Sequence, residues 1–225
     1  MTGIFDSGVG GLCSLYELRR LCPREDIIYL ADEKNAPYGT KSAEDIRRFS
    51  EENIERLLSA GADRVLIACC TASAIWHTLP RELMEASVPI IEPAASLAAK
   101  LSSSIGVIST EATHKSGAFV GAIGRYSRVA RVISAPTQAL VSLVEGGCRD
   151  GEVTADDRQV IKRELTPVLD GGVDLLILGC THFTHIRKTV EEISGIKTVS
   201  PALLGAAVVA KMAANDGEGR TVFYK

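Results

Sequence analysis

The sequence predicts an α/β fold of two pseudo-symmetric α/β domains, with mainly parallel sheets and a cleft between the domains. Three observations support this prediction. The 225 residues are enough for one large domain or two small ones. Short apolar runs alternate along the chain with longer amphipathic segments, which is typical of βαβ units. The stretch AGADRVLIACCT (60–71) also repeats as GGVDLLILGCTH (171–182).

Eight apolar runs are predicted as strands. Most of them are continuously apolar rather than alternating, as expected of parallel strands that are buried on both faces. The predicted strands are Gly3–Asp6, Asp26–Asp32, Arg64–Cys69, Val88–Glu92, Ser104–Thr110, Arg128–Ala135, Asp174–Cys180 and Lys197–Pro201.

Two of the intervening segments carry clear helix signals. The segment 42–59 begins with Ser42 and Asp45 at capping-box spacing and then places its apolar residues along one stripe. The segment 154–169 begins in the same way with Thr154 and Asp157. Both segments are therefore predicted as amphipathic helices.

The internal repeat predicts how the chain divides. Its two copies align Asp63 with Asp174 and Cys69 with Cys180, so each copy is a strand that ends in cysteine. We expect a first domain of residues 1–93 plus 200–225 and a second domain of residues 94–199. Each domain would contribute one of the two cysteines to the cleft.

Composition excludes several classes of protein. The chain has 25 Lys and Arg against 28 Asp and Glu, a net charge of −3, and no basic run that would bind nucleic acid or an anionic membrane. No apolar stretch is long enough to span a bilayer, and no secretory signal is visible. The six cysteines are too few for a disulfide scaffold, so we expect reduced thiols and a cytoplasmic protein.

Polar residues follow most of the predicted strands, at the edge where parallel sheets bind ligands. They are Asp6 and Ser7, Asp32, Cys69, Cys70 and Thr71, Thr110 and Thr113, and Cys180, Thr181 and His182. The glycines of DSGVGG lack the full dinucleotide-binding pattern, and the histidines and cysteines lack zinc-type spacing. We therefore expect neither a nucleotide nor a metal.

The two strand-end thiols, Cys69 and Cys180, favour a specific chemistry. Inverting a stereocentre by proton transfer needs one base on each face of the carbon, and two facing domains would supply one thiol each. A free thiol has a pKa of about 8.5, so it needs a neighbouring base or a helix N-terminus to become a thiolate. Asp6 is the candidate partner of Cys69, and His182 that of Cys180. Cys13 and Cys22 are interpreted as core residues.

At these residues the sequence resembles the glutamate racemases of the aspartate/glutamate racemase superfamily. The matching segments span nearly the whole chain and include GIFDSGVGGL (3–12), PYGTKS (37–42), LIACCTASA (66–74), LVSLVEGG (140–147) and LILGCTHF (176–183). The resemblance implies two α/β domains with the active site between them. It also implies cofactor-independent interconversion of L- and D-glutamate, which supplies D-glutamate for peptidoglycan, and a homodimer.

The resemblance implies roles for particular residues. The catalytic residues would be Cys69 and Cys180 as the two bases, Asp6 and His182 as their partners, and Glu145 near the second thiol. The substrate-binding residues would be Ser7, Pro37, Tyr38, Gly39, Cys70, Thr71, Thr110, Thr113 and Thr181.

The chain departs from the family pattern next to its first catalytic cysteine. Cys70 stands where the family has Asn, whose amide serves the amino-acid head group better than a thiol does. Ala135, Thr184 and Ser200 replace Cys, Pro and Asp. Two alternatives therefore stay open: a sister racemase or isomerase acting on aspartate or another small carboxylate, and an impaired paralogue that binds an amino acid.

Overall fold

The structure is a computed structural model that describes residues 1–224. Lys225, the last residue of the predicted first domain, lies outside the described residues. The described chain contains nine strands, which are β1 (Thr2–Asp6), β2 (Ile27–Ala31), β3 (Arg64–Ile67), β4 (Ser87–Pro89), β5 (Ser104–Ser109), β6 (Arg131–Pro136), β7 (Leu175–Gly179), β8 (Lys197–Val199) and β9 (Thr221–Tyr224).

Helices connect the strands, as the alternating sequence pattern predicts. The helices are α1 (Leu12–Leu21), α2 (Ala43–Ser59), α3 (Cys70–Ala74), α4 (Arg81–Glu85), α5 (Ile91–Leu101), α6 (Glu111–Ser116), α7 (Ala118–Tyr126), α8 (Gln138–Glu145), α9 (Ala155–Leu169), α10 (Arg187–Ser194) and α11 (Pro201–Ala210). Short 3₁₀ turns occupy Tyr38–Thr40, Trp76–Thr78 and Thr181–Ile186.

The strands form two sheets in which every pairing is parallel. The first sheet has the order β4-β3-β1-β2-β9 and the second has the order β8-β7-β5-β6. Read in this direction, the first four strands of each sheet follow the same order, and β9 is an additional edge strand. The predicted fold class is therefore confirmed, and β3 and β7, the strands of the sequence repeat, hold equivalent places.

Most predicted strands have their counterpart within a few residues, but two differences are instructive. The run Val88–Glu92 is wrong as a strand beyond Pro89, because Ile91 already begins α5. The short segment Thr221–Tyr224 was not predicted, although it pairs with β2. Its partly exposed side chains give no continuous apolar run, so an edge strand of this kind is hard to recognise from sequence.

The two helices with predicted caps begin where the sequence indicates. The Ser42 hydroxyl accepts a hydrogen bond from the Asp45 backbone N–H at the start of α2. At the start of α9, Thr154 and Asp157 form a complete capping box with reciprocal side-chain to backbone bonds. Each cap satisfies N–H groups that have no partner inside the helix.

One apolar cluster ties the two sheets together. It includes Ile4 and Leu66 from the first sheet, Val107 and Ile177 from the second, and the small buried residues of α5, such as Ala94. The small side chains of α5 therefore pack in the same core as strands of both sheets. Within residues 1–224, no helix has the length and apolarity needed to cross a membrane.

Candidate active site

A small cavity lies where the carboxyl ends of the central strands of both sheets converge. Its volume is about 40 Å³, which leaves room for only a few water molecules. Twelve of the fourteen residues predicted for the site line it, namely Ser7, Pro37, Tyr38, Gly39, Cys69, Cys70, Thr71, Thr110, Glu145, Cys180, Thr181 and His182. An amino acid is several times larger than water, so its admission requires the cavity walls to separate.

Cys69 follows β3 and is the residue that precedes α3. Its side chain is buried, and its Sγ lies 3.4 Å from the Ser7 hydroxyl oxygen. Burial, followed by the charge of Asp6, raises the pKa of the Cys69 thiol to about 11, while the contact with Ser7 lowers it. At neutral pH Cys69 is therefore a protonated thiol that needs a base.

Cys180 follows β7 in the equivalent position. Its Sγ lies 3.6 Å from Nδ1 of His182. Burial raises the pKa of the Cys180 thiol well above its ordinary value and lowers the pKa of His182 to about 4. His182 is consequently a neutral imidazole, and in the tautomer that leaves Nδ1 unprotonated it can accept a hydrogen bond from the thiol. On the far side of the ring, Nε2 lies 3.5 Å from Oε1 of Glu145, longer than a good hydrogen bond, and has no closer partner.

Asp6 lies behind the cavity wall rather than in it. Its carboxylate accepts hydrogen bonds from the Gly8 backbone N–H at 2.8 Å and from the Thr181 hydroxyl at 3.3 Å. Complete burial raises the pKa of Asp6 to about 6, despite the hydrogen bonds that favour its charged form. Above that pH it is an anion connecting the loop after β1 with the loop after β7, next to both thiol-bearing strands.

Three threonine hydroxyls meet at another wall of the cavity. Thr71 lies 3.0 Å from Thr110 and 3.1 Å from Thr113, and the hydroxyls of Thr110 and Thr113 are 2.9 Å apart. Thr113 reaches the site only through these contacts. Because hydroxyls both donate and accept, this cluster can rearrange to donate to a carboxylate.

The turn that carries Tyr38 and Gly39 is held in place from behind. The Tyr38 hydroxyl donates to Asp32 at 2.5 Å, and the Asn53 side-chain amide donates to the same carboxylate oxygen at 2.9 Å. Asp32, which the sequence places at a strand end, therefore has a supporting role in fixing the wall of the cavity.

The helical turns that follow the two thiols do not lower their pKa. A helix N-terminus favours the thiolate, but burial raises the pKa of both Cys69 and Cys180. The desolvation of a thiolate in a closed cavity outweighs the partial charge of short helical segments, since α3 has five residues and a 3₁₀ turn follows Cys180.

Sequence reasoning missed four residues that line the cavity, which are Gly8, Ala36, Gln138 and Val141. Helical periodicity could have predicted two of them. Gln138 and Val141 precede Glu145 on α8 by seven and four residues, which places all three on one face of the helix. A larger cavity of about 480 Å³, lined in part by Trp76 and Arg125, contains none of the predicted site residues.

Gly10 sets the distance between the loops after β1 and β7. A methyl group at Gly10 would lie 2.4 Å from Oγ1 of Thr181 and 2.7 Å from Nδ1 of His182. The Cys13 thiol, which is buried as expected of a core residue, also donates to the Gly10 carbonyl oxygen at 3.0 Å. The absence of a side chain at Gly10 therefore allows the imidazole to sit where it meets Cys180.

We expect Gly10→Ala to reduce kcat/KM by roughly 100-fold, because displacing a catalytic group by about 1 Å can have an effect of that size. Steady-state kinetics, with circular dichroism to check folding, measures it. Gly124→Ala is the control, since Gly124 lies on the exposed face of helix α7 and nothing lies within 4 Å of the added methyl group. An active Gly10→Ala protein would show that this spacing is unimportant.

Comparisons with known proteins show which family the chain is similar to. The family model for Asp/Glu/hydantoin racemases matches residues 16–209. The glutamate racemase of Desulforudis audaxviator (strain MP104C) is 39% identical over 200 residues, which cover 88% of this chain and 72% of that protein.

Solved structures give the same result. The crystal structure of glutamate racemase from Francisella tularensis subsp. tularensis SCHU S4 in complex with D-glutamate matches with a TM-score of 0.89 and 31% identity, covering 99% of this chain and 86% of that one. Picrophilus torridus aspartate racemase matches with a TM-score of 0.66 and 19% identity, over 94% of this chain and 93% of that one, which shows a shared fold alone. The chain therefore belongs to the Asp/Glu/hydantoin racemase family and is an amino-acid racemase.

Proposed function

We propose that the protein interconverts L- and D-glutamate by two-base proton transfer at Cα, with Cys69 and Cys180 as the bases. The observation that carries this proposal is the placement of the two thiols. They follow equivalent strands of two similarly ordered sheets, and both line one cavity. The glutamate racemases that this chain resembles support glutamate as the substrate.

The reaction needs one thiolate and one thiol at the same time. In one direction, a thiolate removes the Cα proton, and the electron pair left on Cα is delocalised into the adjacent carboxylate. The opposite thiol then donates its proton to the other face of Cα, which inverts the centre. The reverse direction exchanges the roles of Cys69 and Cys180.

Each thiolate must be generated by a neighbouring base, because the pKa of both thiols is raised. We propose that Asp6, which is ionised above about pH 6, serves Cys69. Neutral His182, 3.6 Å from the sulfur, serves Cys180. Glu145 would stabilise the imidazolium that forms when His182 accepts the proton. In this mechanism no cofactor or metal is needed.

We also propose how the cavity opens. The domains would be residues 1–93 with 200–225, and residues 94–199, as predicted from the repeat. In support, β1–β4 and β9 form one sheet and β5–β8 form the other. The chain crosses between them only near residues 93 and 199, so a small rotation about these crossings would admit the substrate.

The biological setting follows as part of the same proposal. D-glutamate would be supplied for peptidoglycan synthesis. Because both bases must remain reduced thiols, we place the protein in the cytoplasm. A homodimer is still a prediction, which light scattering of the purified protein would test.

A direct experiment tests the reaction. The protein, dialysed against a strong chelator, is incubated with L-glutamate or L-aspartate in D₂O. We expect D-glutamate with deuterium at Cα, detected by chiral chromatography and mass spectrometry. Turnover of L-aspartate but not of L-glutamate would favour a second candidate function, that of a racemase for aspartate or another small carboxylate. A requirement for added zinc would contradict the two-thiol mechanism.

One observation favours that second candidate, a racemase for aspartate or another small carboxylate. Cys70 lines the cavity in place of the Asn that the family resemblance implies, and burial raises the pKa of its thiol well above the ordinary value. A neutral thiol is a weak donor, so it replaces the two donors of an amide poorly.

We expect Cys70→Asn to increase kcat/KM for glutamate by about tenfold, since a hydrogen bond to a charged group contributes about 1.5–3 kcal/mol. The same kinetic assay with aspartate is the comparison. If Cys70→Asn transfers the preference from aspartate to glutamate, then Cys70 is adapted to a substrate other than glutamate. If the variant loses activity on glutamate, the expected hydrogen bond from Asn is wrong.

A further inference from the structure

Helix α8 presents a row of three side chains to the cavity. Gln138, Val141 and Glu145 all line it, and their spacing places them on one face. The helix is anchored at its start, because Thr137 donates to the Ser109 carbonyl oxygen through both its backbone N–H and its hydroxyl. Gln138 is therefore held on a fixed support next to the end of β5.

The side-chain oxygen of Gln138 lacks a hydrogen-bond partner among residues 1–224. This atom, Oε1, is buried and makes no hydrogen bond with them. This is unusual, since buried polar atoms nearly always have a partner. The atom lies at the wall formed by Gly39 and Thr110, and it would be 3.0 Å from a methyl group built on Gly39. A bound molecule in the cavity would supply the missing partner.

The position of Gln138 indicates which part of the substrate it meets. Glu145, at the other end of α8, lies beside His182, the partner of Cys180. Gln138 precedes Glu145 by seven positions, which corresponds to about 10 Å along the helix axis. The proposed reaction places Cα between the two thiols, so Gln138 faces a part of the cavity away from Cα, which we assign to the substrate side chain.

The charge of the cavity wall indicates what that side chain requires. No Lys or Arg is among the described residues that line the cavity. A side-chain carboxylate must therefore be held by neutral donors. A half-turn about the last bond of Gln138 replaces Oε1 with the amide N–H₂ group, and this rotation sacrifices no hydrogen bond.

We propose that Gln138 is a specificity-determining residue, whose amide donates a hydrogen bond to the side-chain carboxylate of the substrate. This inference rests on the proposed function and deepens it. The amide distinguishes a dicarboxylic amino acid from one with an apolar side chain, and its distance from the reaction centre favours glutamate over the shorter aspartate. The effect is on binding, so it falls on KM more than on kcat.

The test compares Gln138→Leu and Gln138→Glu with Ala139→Glu. Ala139 is about 100° around α8 from Gln138 and does not line the cavity, so Ala139→Glu controls for the added charge. We expect Gln138→Leu to raise KM for L-glutamate roughly 10- to 100-fold with little change in kcat. Gln138→Glu should raise it further and increase the relative activity on L-glutamine, whose neutral amide is not repelled. Ala139→Glu should behave as wild type.

Calorimetric binding of D-glutamate to the same proteins separates this inference from the proposed function. Wild-type binding without turnover would overturn the proposed reaction, whereas the role of Gln138 would still be decided by the loss of binding in Gln138→Leu. If both Gln138 variants fold and retain KM and affinity within twofold of wild type, the inference is wrong. Failure of wild type to bind glutamate overturns both.

Discussion

Replacing either cavity thiol by alanine should reduce glutamate racemisation by at least 10²–10⁴-fold while the protein stays folded. Each of Cys69→Ala and Cys180→Ala removes one of two obligatory acid–base groups, and a positioned group of this kind contributes about that factor. Chiral chromatography after long incubation measures the residual rate. Thermal unfolding checks that the loss is chemical, since both side chains are buried.

Deuterium exchange makes this prediction sharper. A variant with one remaining base can still remove and return the Cα proton on one face. In D₂O, Cys69→Ala and Cys180→Ala should therefore exchange Cα of opposite enantiomers without converting either one. If both variants exchange the same enantiomer, the two thiols do not face opposite sides of Cα.

Cys22→Ala is the matched control for these variants. The Cys22 thiol is also buried, but it lies between α1 and α11, with Sγ 3.5 Å from the Ala210 carbonyl oxygen. It lines no part of the cavity. We expect a lower melting temperature and an unchanged rate. A large loss of rate in Cys22→Ala would mean that general destabilisation explains the other two variants as well.

The sequence was sufficient to predict much of the architecture. The repeat around Cys69 and Cys180 predicts equivalent strands, and β3 and β7 occupy equivalent places in two sheets of the same order. Parallel sheets collect the residues that follow their strands at one edge. This is why eight of the predicted residues that line the cavity could be found from the strand ends alone. The other four, Pro37, Tyr38, Gly39 and Glu145, were implied only by the family resemblance.

What the sequence could not predict depends on burial and on contacts between distant segments. The pKa of Cys69 is raised because the cavity is closed, and no local pattern shows this. The role of Gly10 becomes visible only when His182, 172 residues later in the chain, is seen against it. Gln138 could not be selected by chemical reactivity, since a side-chain amide is neither a titratable group nor a nucleophile.

We expect Asp6→Asn to reduce activity by at least 100-fold and yet to stabilise the protein above pH 6. Complete burial raises the pKa of Asp6 from 3.8 to about 6 in the folded protein. The folded state therefore binds a proton more tightly than the unfolded state does. In the wild type, the contribution of Asp6 to the free energy of unfolding falls as pH rises from about 4 to about 6, and it is constant above that. The total fall is roughly 3 kcal/mol for a pKa shift of about two units.

Asparagine does not titrate, so the Asp6→Asn variant does not lose stability as pH rises through this range. Part of the gain is offset, because Asp6 accepts hydrogen bonds from the backbone N–H groups of Gly8 and Gly11, and the asparagine amide can accept only at its oxygen. We expect a net gain of about 1–2 kcal/mol at pH 8, or roughly 2–8 °C in melting temperature, and no gain at pH 4.

The thiol provides an independent measurement of the same change. The charge of Asp6 is one of the causes that raise the pKa of Cys69, so its removal should lower that pKa, which alkylation rates across the pH range would detect. The variant would then form a thiolate at lower pH and still racemise slowly, because its thiol has lost the neighbouring base. If Asp6→Asn keeps more than half of the wild-type activity, Asp6 is a structural anion and Cys69 receives its base from elsewhere.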